Sequence, residues 1–483
     1  MMDTARKGKF ASAWLPVVAL VSLLAVTGAI VACSSGSSMT ASGMSTVNLR
    51  VSDPATCAAP NGPYSNVWVT ITDVQVNTSS SAGPNDSSWV DLTPNLASSP
   101  KQIDLLAQAN NQCFLASLGD NLQLQAGSYQ QIRIILADNS TSIANNNCSN
   151  GAANCVVVNG TATTLQLASE DKTGIKIPSG QIASGAFTIS AGQTKDLDID
   201  FNTCESIVQL GNGGYILKPV LHAGEVSTTS TSINGTVDMV DANGNAVTGG
   251  SAWVALEQPD LAGVDRVAQQ AMVASDGTFV FCPLPQGTYD VVVVGMDSTG
   301  TLFAPSIITG VSTGSTTGAI KLNAPAVSIA TVSSANLTGL VSTAGTSGGI
   351  AETVTLSALE TVNGKTYTIP QQPAASPYFS TTQNVVTAAS TSTVTCPNGT
   401  FCAAYSLPVT SSGAYYGAWS ASGSTLQPAS ATTVLADYFA DGSANCSNSP
   451  QNSGAGIQLT GAGPFNTTAG VAMTQNITLT GCQ

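Results

Sequence analysis

The chain has 483 residues, with 13 Lys+Arg against 27 Asp+Glu and one His, a formal net charge of −14. An acidic chain with no basic cluster lacks the cations that displace counterions from a phosphate backbone, which argues against nucleic-acid binding. Only 8% of residues are charged, and Ser, Thr, Asn, Gly and Ala stand in their place beside abundant Val and Ile. That balance suits extracellular β-structure with uncharged polar faces and is unlike the charge-rich composition of disorder.

Residues 1–32 read as a secretory signal. Arg6, Lys7 and Lys9 form a positive start, and 11–32 run without a charge to Ile30, Val31, Ala32 and Cys33. An aliphatic residue, small or branched residues and then Cys resembles the lipobox of bacterial lipoproteins. The resemblance implies cleavage before Cys33 and acylation of its thiol, with palmitate among the chains attached. Ser34, in place of Asp, implies sorting to the outer membrane, facing periplasm or cell surface. The rival reading is an uncleaved membrane helix, since 22 apolar residues suffice to span a bilayer. Removing the signal takes away three cations and Asp3, so the mature charge is (13 − 3) − (27 − 1) = −16. Residues 33–46 are a Ser/Gly/Thr-rich tether reaching roughly 20 Å.

From residue 47 the pattern is that of strands. Val47, Leu49 and Val51 alternate with polar residues, as do Val67, Val69 and Ile71, and again Ile132, Ile134 and Leu136. One short helix is predicted over 102–110, where Ile103, Leu106 and Ala107 share a face. Many strands with very little helix predict an all-β chain of tandem β-sandwich domains, immunoglobulin- or transthyretin-like. The segments 47–53, 67–76, 89–92, 103–106, 126–136, 174–180, 198–201, 205–208 and 213–219 follow one another in the order of a known pattern. Region 47–224 on this basis resembles the bacterial family called domain of unknown function 4382. The family carries no agreed activity, so the resemblance implies a compartment and a fold class only.

A polar linker over 226–232 leads to Ile233-Asn-Gly-Thr-Val237, Trp253-Val-Ala-Leu256, Asp276-Gly-Thr-Phe-Val-Phe281 and the run 284–294. These resemble the carboxypeptidase regulatory-like, transthyretin-like module, a seven-strand sandwich, here spanning 233–325. Its glycines permit tight turns, and Phe279, Phe281 and Tyr289 would fill the sandwich. Region 335–483 echoes it loosely: Leu337-Thr-Gly-Leu-Val341 matches Ile233–Val237 in pattern, and Gly413-Ala-Tyr-Tyr416 matches 287–289. It is read as a diverged β-sandwich.

Eleven cysteines leave ten once Cys33 is lipidated: Cys57, Cys113, Cys148, Cys155, Cys204, Cys282, Cys396, Cys402, Cys446 and Cys482. An even number in an exported chain predicts up to five disulfides. Cys148/Cys155, Cys396/Cys402 and Cys446/Cys482 are the pairs that sequence proximity favours; Cys57/Cys113 and Cys204/Cys282 complete one of several possible maps. No C-x-x-C pair occurs and there is one His, which leaves zinc little to bind.

Catalytic constellations are thin. Gly310-Val-Ser312-Thr-Gly314 and Gly345-Thr-Ser347-Gly-Gly349 match the hydrolase elbow literally, but neither precedes a predicted helix, and His222 comes before both. His222 without a partner is read as a solvated or core-edge imidazole. Asp196, Asp198 and Asp200 alternate with apolar residues and so share one strand face. Stacked carboxylates need solvent, a cation such as calcium, or neutralisation by Lys195 and Lys218. Asp241-Ala-Asn-Gly-Asn245 opens like a calcium loop but lacks the closing Glu, so it is read as a β-turn. Tyr415, Tyr416, Trp419 and Trp253 serve either as core or as stacking platforms for sugars.

The sequence therefore points to a non-catalytic cell-envelope lipoprotein with a binding or structural role, needing no cofactor beyond a weakly indicated calcium. Its partners are the membrane, through the lipid, and an unidentified protein or glycan. The alternatives are a surface adhesin or carbohydrate-binding lipoprotein, and a hydrolase relying on carboxylates such as Asp198 and Asp200.

Overall fold

Strict alternation makes β1 (Met44–Ser52) a strand with Val47, Leu49 and Val51 fully buried and the intervening residues half-buried. A computed structural model describes residues 43–52, 64–106, 116–201, 203–226, 232–241, 244–282, 284–298, 302–323, 335–370, 382–410, 413–428, 436–452, 457–459 and 472–483. The signal, most of the tether, Cys57 and Cys113 lie outside these residues, as does the Cys204 side chain.

The first region is a two-sheet sandwich. One sheet runs β7 (Leu221–Val226), β6 (Thr194–Phe201), β1, β3 (Ala116–Gln125), with β6 parallel to β1 and antiparallel to β7; the labels β2, Tyr64–Asn77, β4, Gln131–Leu136, and β5, Ile175–Pro178, belong to the facing sheet. That sheet runs β5, β4, β2 and on through Cys155–Val158, Thr161–Gln166, Tyr215–Leu217 and Ile207–Gln209. Along β2 a register shift between Ile71 and Asp73 resets the alternation, so Val67, Val69 and Ile71 and then Val74 and Val76 are all buried. These residues meet Leu49, Leu197 and Ile199 in one apolar core.

Residues 102–104 are not helical. Lys101–Asp104 is a strand antiparallel to β2, with Ile103 opposite Val69, and Asp104 Oδ1 accepts the Val67 N–H at 3.0 Å. The helix-like spacing of Ile103 and Leu106 yields to this pairing, which occupies the backbone of 101–104; residues 107–110 lie outside the described residues.

The second region packs a three-stranded sheet on a four-stranded one. The strands are β8 (Ile233–Val240), β9 (Ser251–Pro259), β10 (Val264–Met272), β11 (Thr278–Phe281), β12 (Thr288–Met296), β13 (Ser306–Ser312) and β14 (Thr316–Asn323). The order β11-β8-β14 faces β13-β12-β9-β10, with Phe279, Phe281, Tyr289, Val291, Val293 and Phe303 buried between.

The third region does the same with β15 (Ala335–Gly345), β16 (Thr353–Val362), β17 (Lys365–Thr368), β18 (Phe401–Val409), β19 (Ala436–Ser443) and β20 (Ile477–Thr480). β15 pairs antiparallel with β18 and parallel with β20, while β17, β16 and β19 form the opposing layer. That layer does not end at the region boundary: β17 pairs parallel with β10 (Val264 opposite Thr366), so one twelve-stranded sheet runs through both regions. The protein is thus all-β, and its described helical turns are short: Ser179–Gln181, Ala183–Gly185 and Thr203–Ser206. Residues 41–483 form one compact unit.

Disulfides join Cys148 to Cys155, Cys396 to Cys402 and Cys446 to Cys482. Cys282 is also disulfide-bonded.

Candidate functional site

The polar face of β6 holds the sequence's densest carboxylates. Asp196 stays half-buried and accepts a hydrogen bond from Asn48 Nδ2 at 2.7 Å. Asp198 and Asp200 are almost wholly buried, because β10 of the second region lies across this face. The Gln270 N–H donates to Asp200 Oδ2 at 3.2 Å, and Ser52 Oγ sits 2.6 Å from Asp198 Oδ2 and 3.4 Å from Asp200 Oδ1. Desolvation pushes Asp198 up to about 6. Burial, and then the charge of Asp198, takes Asp200 to about 8. His222 stands opposite Asp200 across the β6/β7 pair, buried, with no hydrogen bond to its Nδ1, and burial lowers it to about 4. It is a neutral imidazole in an interface between sheets.

These positions correct the simpler expectations for that face. It is covered rather than solvated, and Lys195 pairs with Glu225 instead of with the aspartates. Lys218 lies elsewhere, on an exposed stretch. Among the described residues no group of three or more His, Cys, Asp or Glu is arranged to hold a metal ion, Asp196, Asp198 and Asp200 included.

The other candidates disperse. Ser312 ends β13 and Ser347 sits in the turn after β15; each is exposed, and neither opens a described helix. In the Asp241 turn, Asn245 donates to both carboxylate oxygens, at 2.8 and 3.1 Å, filling the positions a cation would use. Trp253 is core, 1% exposed, and offers no stacking face. Tyr415, Tyr416 and Trp419 are half-buried, with Tyr416 and Trp419 packed against two different apolar clusters and Trp419 Nε1 donating to Thr316 O.

What sequence reasoning missed is a cleft of about 830 Å³ between the first and third regions. One wall is β5 with Ile216–Pro219, both within the segments 174–180 and 213–219 singled out above; the other is 350–355, Asn384, Val386 and Asn445. The volume falls in the range of small-molecule sites. Lys176 Nζ lies 3.5 Å from Glu352 Oε1 at its centre. Burial raises the Glu352 carboxyl to about 7 against the opposing pull of Lys176. Asn384 Nδ2 donates to Pro219 O at 2.9 Å, and Asn445 Nδ2 to Gln483 O at 3.1 Å. The Oδ1 atoms of both asparagines are buried without a hydrogen-bond partner. Buried acceptors without a donor cost free energy. Val386, 65% exposed, and the prolines 84, 178 and 219 give the cleft apolar walls. No local signal marks Glu352, Asn384 or Asn445, which meet β5 only through long-range packing.

Comparison with known proteins gives a family-model match over part of the chain and loose structural likenesses. Residues 44–219 match the family model described as Domain of unknown function (DUF4382). No curated protein matches the chain. Among solved structures it is similar to the Bacillus anthracis TIE protein, at 8% identity over 90% of this chain and 51% of that one, TM-score 0.15. The chain thus spans about half the length of that protein. It is also similar to the shaft pilin SpaA from Lactobacillus rhamnosus GG, at 10% identity over 59% and 99% of the two chains, TM-score 0.15. A Streptococcal ancillary pilin matches at 10% identity over 90% and 99%, TM-score 0.14. Superpositions this loose say nothing of what the chain binds.

Proposed function

We propose that this chain is a non-catalytic lipoprotein of the cell envelope, and that its cleft binds a neutral, hydroxyl-rich ligand of saccharide type. The observation that carries the reading is a cleft of about 830 Å³ whose lining sets the amide residues Asn384 and Asn445 beside apolar walls. Hydroxyl groups are the donors that satisfy amide oxygens without bringing charge. Lys176 pairs with Glu352 in the cleft, and the acidic chain around them disfavours an anionic ligand. Apolar walls beside polar ends suit the two faces of a sugar ring. The hydrolase reading gains no support from the β6 aspartates, because Asp198 and Asp200 are sealed under β10.

A glycan array probed with the detergent-solubilised full chain, followed by calorimetric titration of the hits, tests this. Asn384→Ala should weaken binding by about tenfold, the worth of one hydrogen bond from the amide side chain. Hits that bind Asn384→Ala and Glu352→Gln as tightly as the parent would place the ligand elsewhere, and a folded protein with no saccharide hit would end the proposal.

A further inference from the structure

A single lysine ties together the two regions that share the twelve-stranded sheet. Lys365 opens β17, in the third region, and its Nζ lies 2.7 Å from Asp290 Oδ2 on β12 and 2.8 Å from Asp265 Oδ2 on β10, both in the second region. Glu257 on β9 stands directly opposite Asp290 in the strand register. Two carboxyls thus contact one cation, with a third on the neighbouring strand. Asp265 is 0% exposed and Glu257 1%, and the Oε1 of Glu257 and Oδ1 of Asp265 have no hydrogen-bond partner. Tyr367, also wholly buried, sets its ring 5.4 Å from Lys365 Nζ.

The Lys365 side chain is 38% exposed, while the Asp265 and Asp290 side chains it meets are 0% and 8% exposed; an amine held against a buried carboxyl has the arrangement from which an amide forms. We propose that Lys365 and Asp290 condense to a covalent isopeptide bond, with Asp265 as the proton relay. The two carboxyls in contact with Nζ are not equivalent. Asp290 Oδ1 accepts the backbone N–H of Gly310 at 2.9 Å, a fixed donor for the negative charge that builds on that oxygen as nitrogen attacks. Asp265 has no such donor, and burial lifts it to about 7, so it both takes and returns a proton near neutral pH.

The balance is simple. The Lys365 ammonium gives a proton to Asp265, and the freed amine attacks Cγ of Asp290. Asp265 then passes the two protons that nitrogen loses, one after the other, to the departing Oδ2. One C–N bond forms, one C–O bond breaks, one water leaves, and Asp265 ends as it began. No oxidant or co-reactant is required.

The full chain, reduced and digested with protease, should yield a branched peptide joining Lys365 to Asp290, lighter by one water than its two parts. Lys365→Arg should give only the separate peptides. Asp265→Asn keeps both reacting groups and removes the relay, so coupling should slow roughly a hundredfold. Separate, unmodified peptides from the parent protein would overturn the proposal, and that measurement does not depend on any variant folding. A peptide linking Lys365 to Asp265, or a folded Asp265→Asn protein that couples as fast as the parent, would overturn the roles assigned.

Discussion

At the scale of single residues, the protein places ionisable groups where water is absent and so ties stability to pH. Asp200 is the sharpest case, pushed up to about 8 chiefly by burial. A carboxyl whose folded value lies above its unfolded value is held protonated by folding. Its burial costs nothing below about pH 4, the cost grows as pH rises, and it is complete above about pH 8. Asp198, raised to about 6, and Glu360, raised to about 8, act in the same direction. His222, lowered to about 4, acts oppositely: its stability is present above about 6.5 and lost as pH falls. With Asp73 at about 6 and Asp265 and Glu352 at about 7 acting as these carboxyls do, the raised carboxyls outweigh the one imidazole, and the melting temperature should fall from pH 5 to pH 8. Asp200→Asn keeps an acceptor for the Gln270 N–H but cannot ionise, so it should stabilise by a few kcal/mol at pH 8 and by much less at pH 5. Thermal melts of parent and variant at both pH values check this, and an equal shift at each would dissociate Asp200 from the effect.

At the scale of elements, the weak repeat between Ile233–Val237 and Leu337–Val341 has a physical content that the letters alone do not carry. Gly235 lies opposite Phe279, and Gly339 opposite Tyr405. In both strands an aromatic ring from the antiparallel neighbour covers the glycine, and a parallel strand closes the other side. A Cβ at Gly235 would meet the Phe279 ring at 2.9 Å and also strike Thr317 Oγ1; one at Gly339 would strike the carbonyl of Gln475. Tyr405 Oη donates to that same carbonyl at 2.7 Å, so it has little freedom to move. Gly339→Ala should therefore cost about 1–3 kcal/mol, and Gly235→Ala less, because a threonine hydroxyl can rotate away. Denaturant titration of the two variants ranks them, and a neutral Gly339→Ala would remove the steric reason for that glycine. Strands of this kind were legible because burial on one face imposes period-two alternation. The stretch 101–104 was not, since three residues with helix-like spacing carry no sign that β2 will pair with them.

At the scale of the whole molecule, the unreadable features are those made by segments far apart in sequence. β6 reads as a strand with a wet face; only β10, some 70 residues later, turns that face into an interface. The cleft needs β5 and Glu352 together, and the merged sheet needs β10 and β17, pairings to which no local pattern points. The anchor is the reverse case, written wholly in local sequence and lying outside the described residues. Its logic is still testable through the molecule it would hold. The disulfides among the described residues fit an oxidising compartment, and a short polar tether would keep a lipidated chain close to the bilayer. Acyl chains contribute about 0.8 kcal/mol per buried methylene, so an acylated Cys33 would be enough to hold the proposed lipoprotein at a membrane. Cys33→Ser should move the protein from the membrane fraction to the soluble one while its glycan affinity and its Lys365–Asp290 peptide stay unchanged. A variant that still pellets with membranes would place the attachment in the apolar run of 11–32 instead, as an uncleaved span.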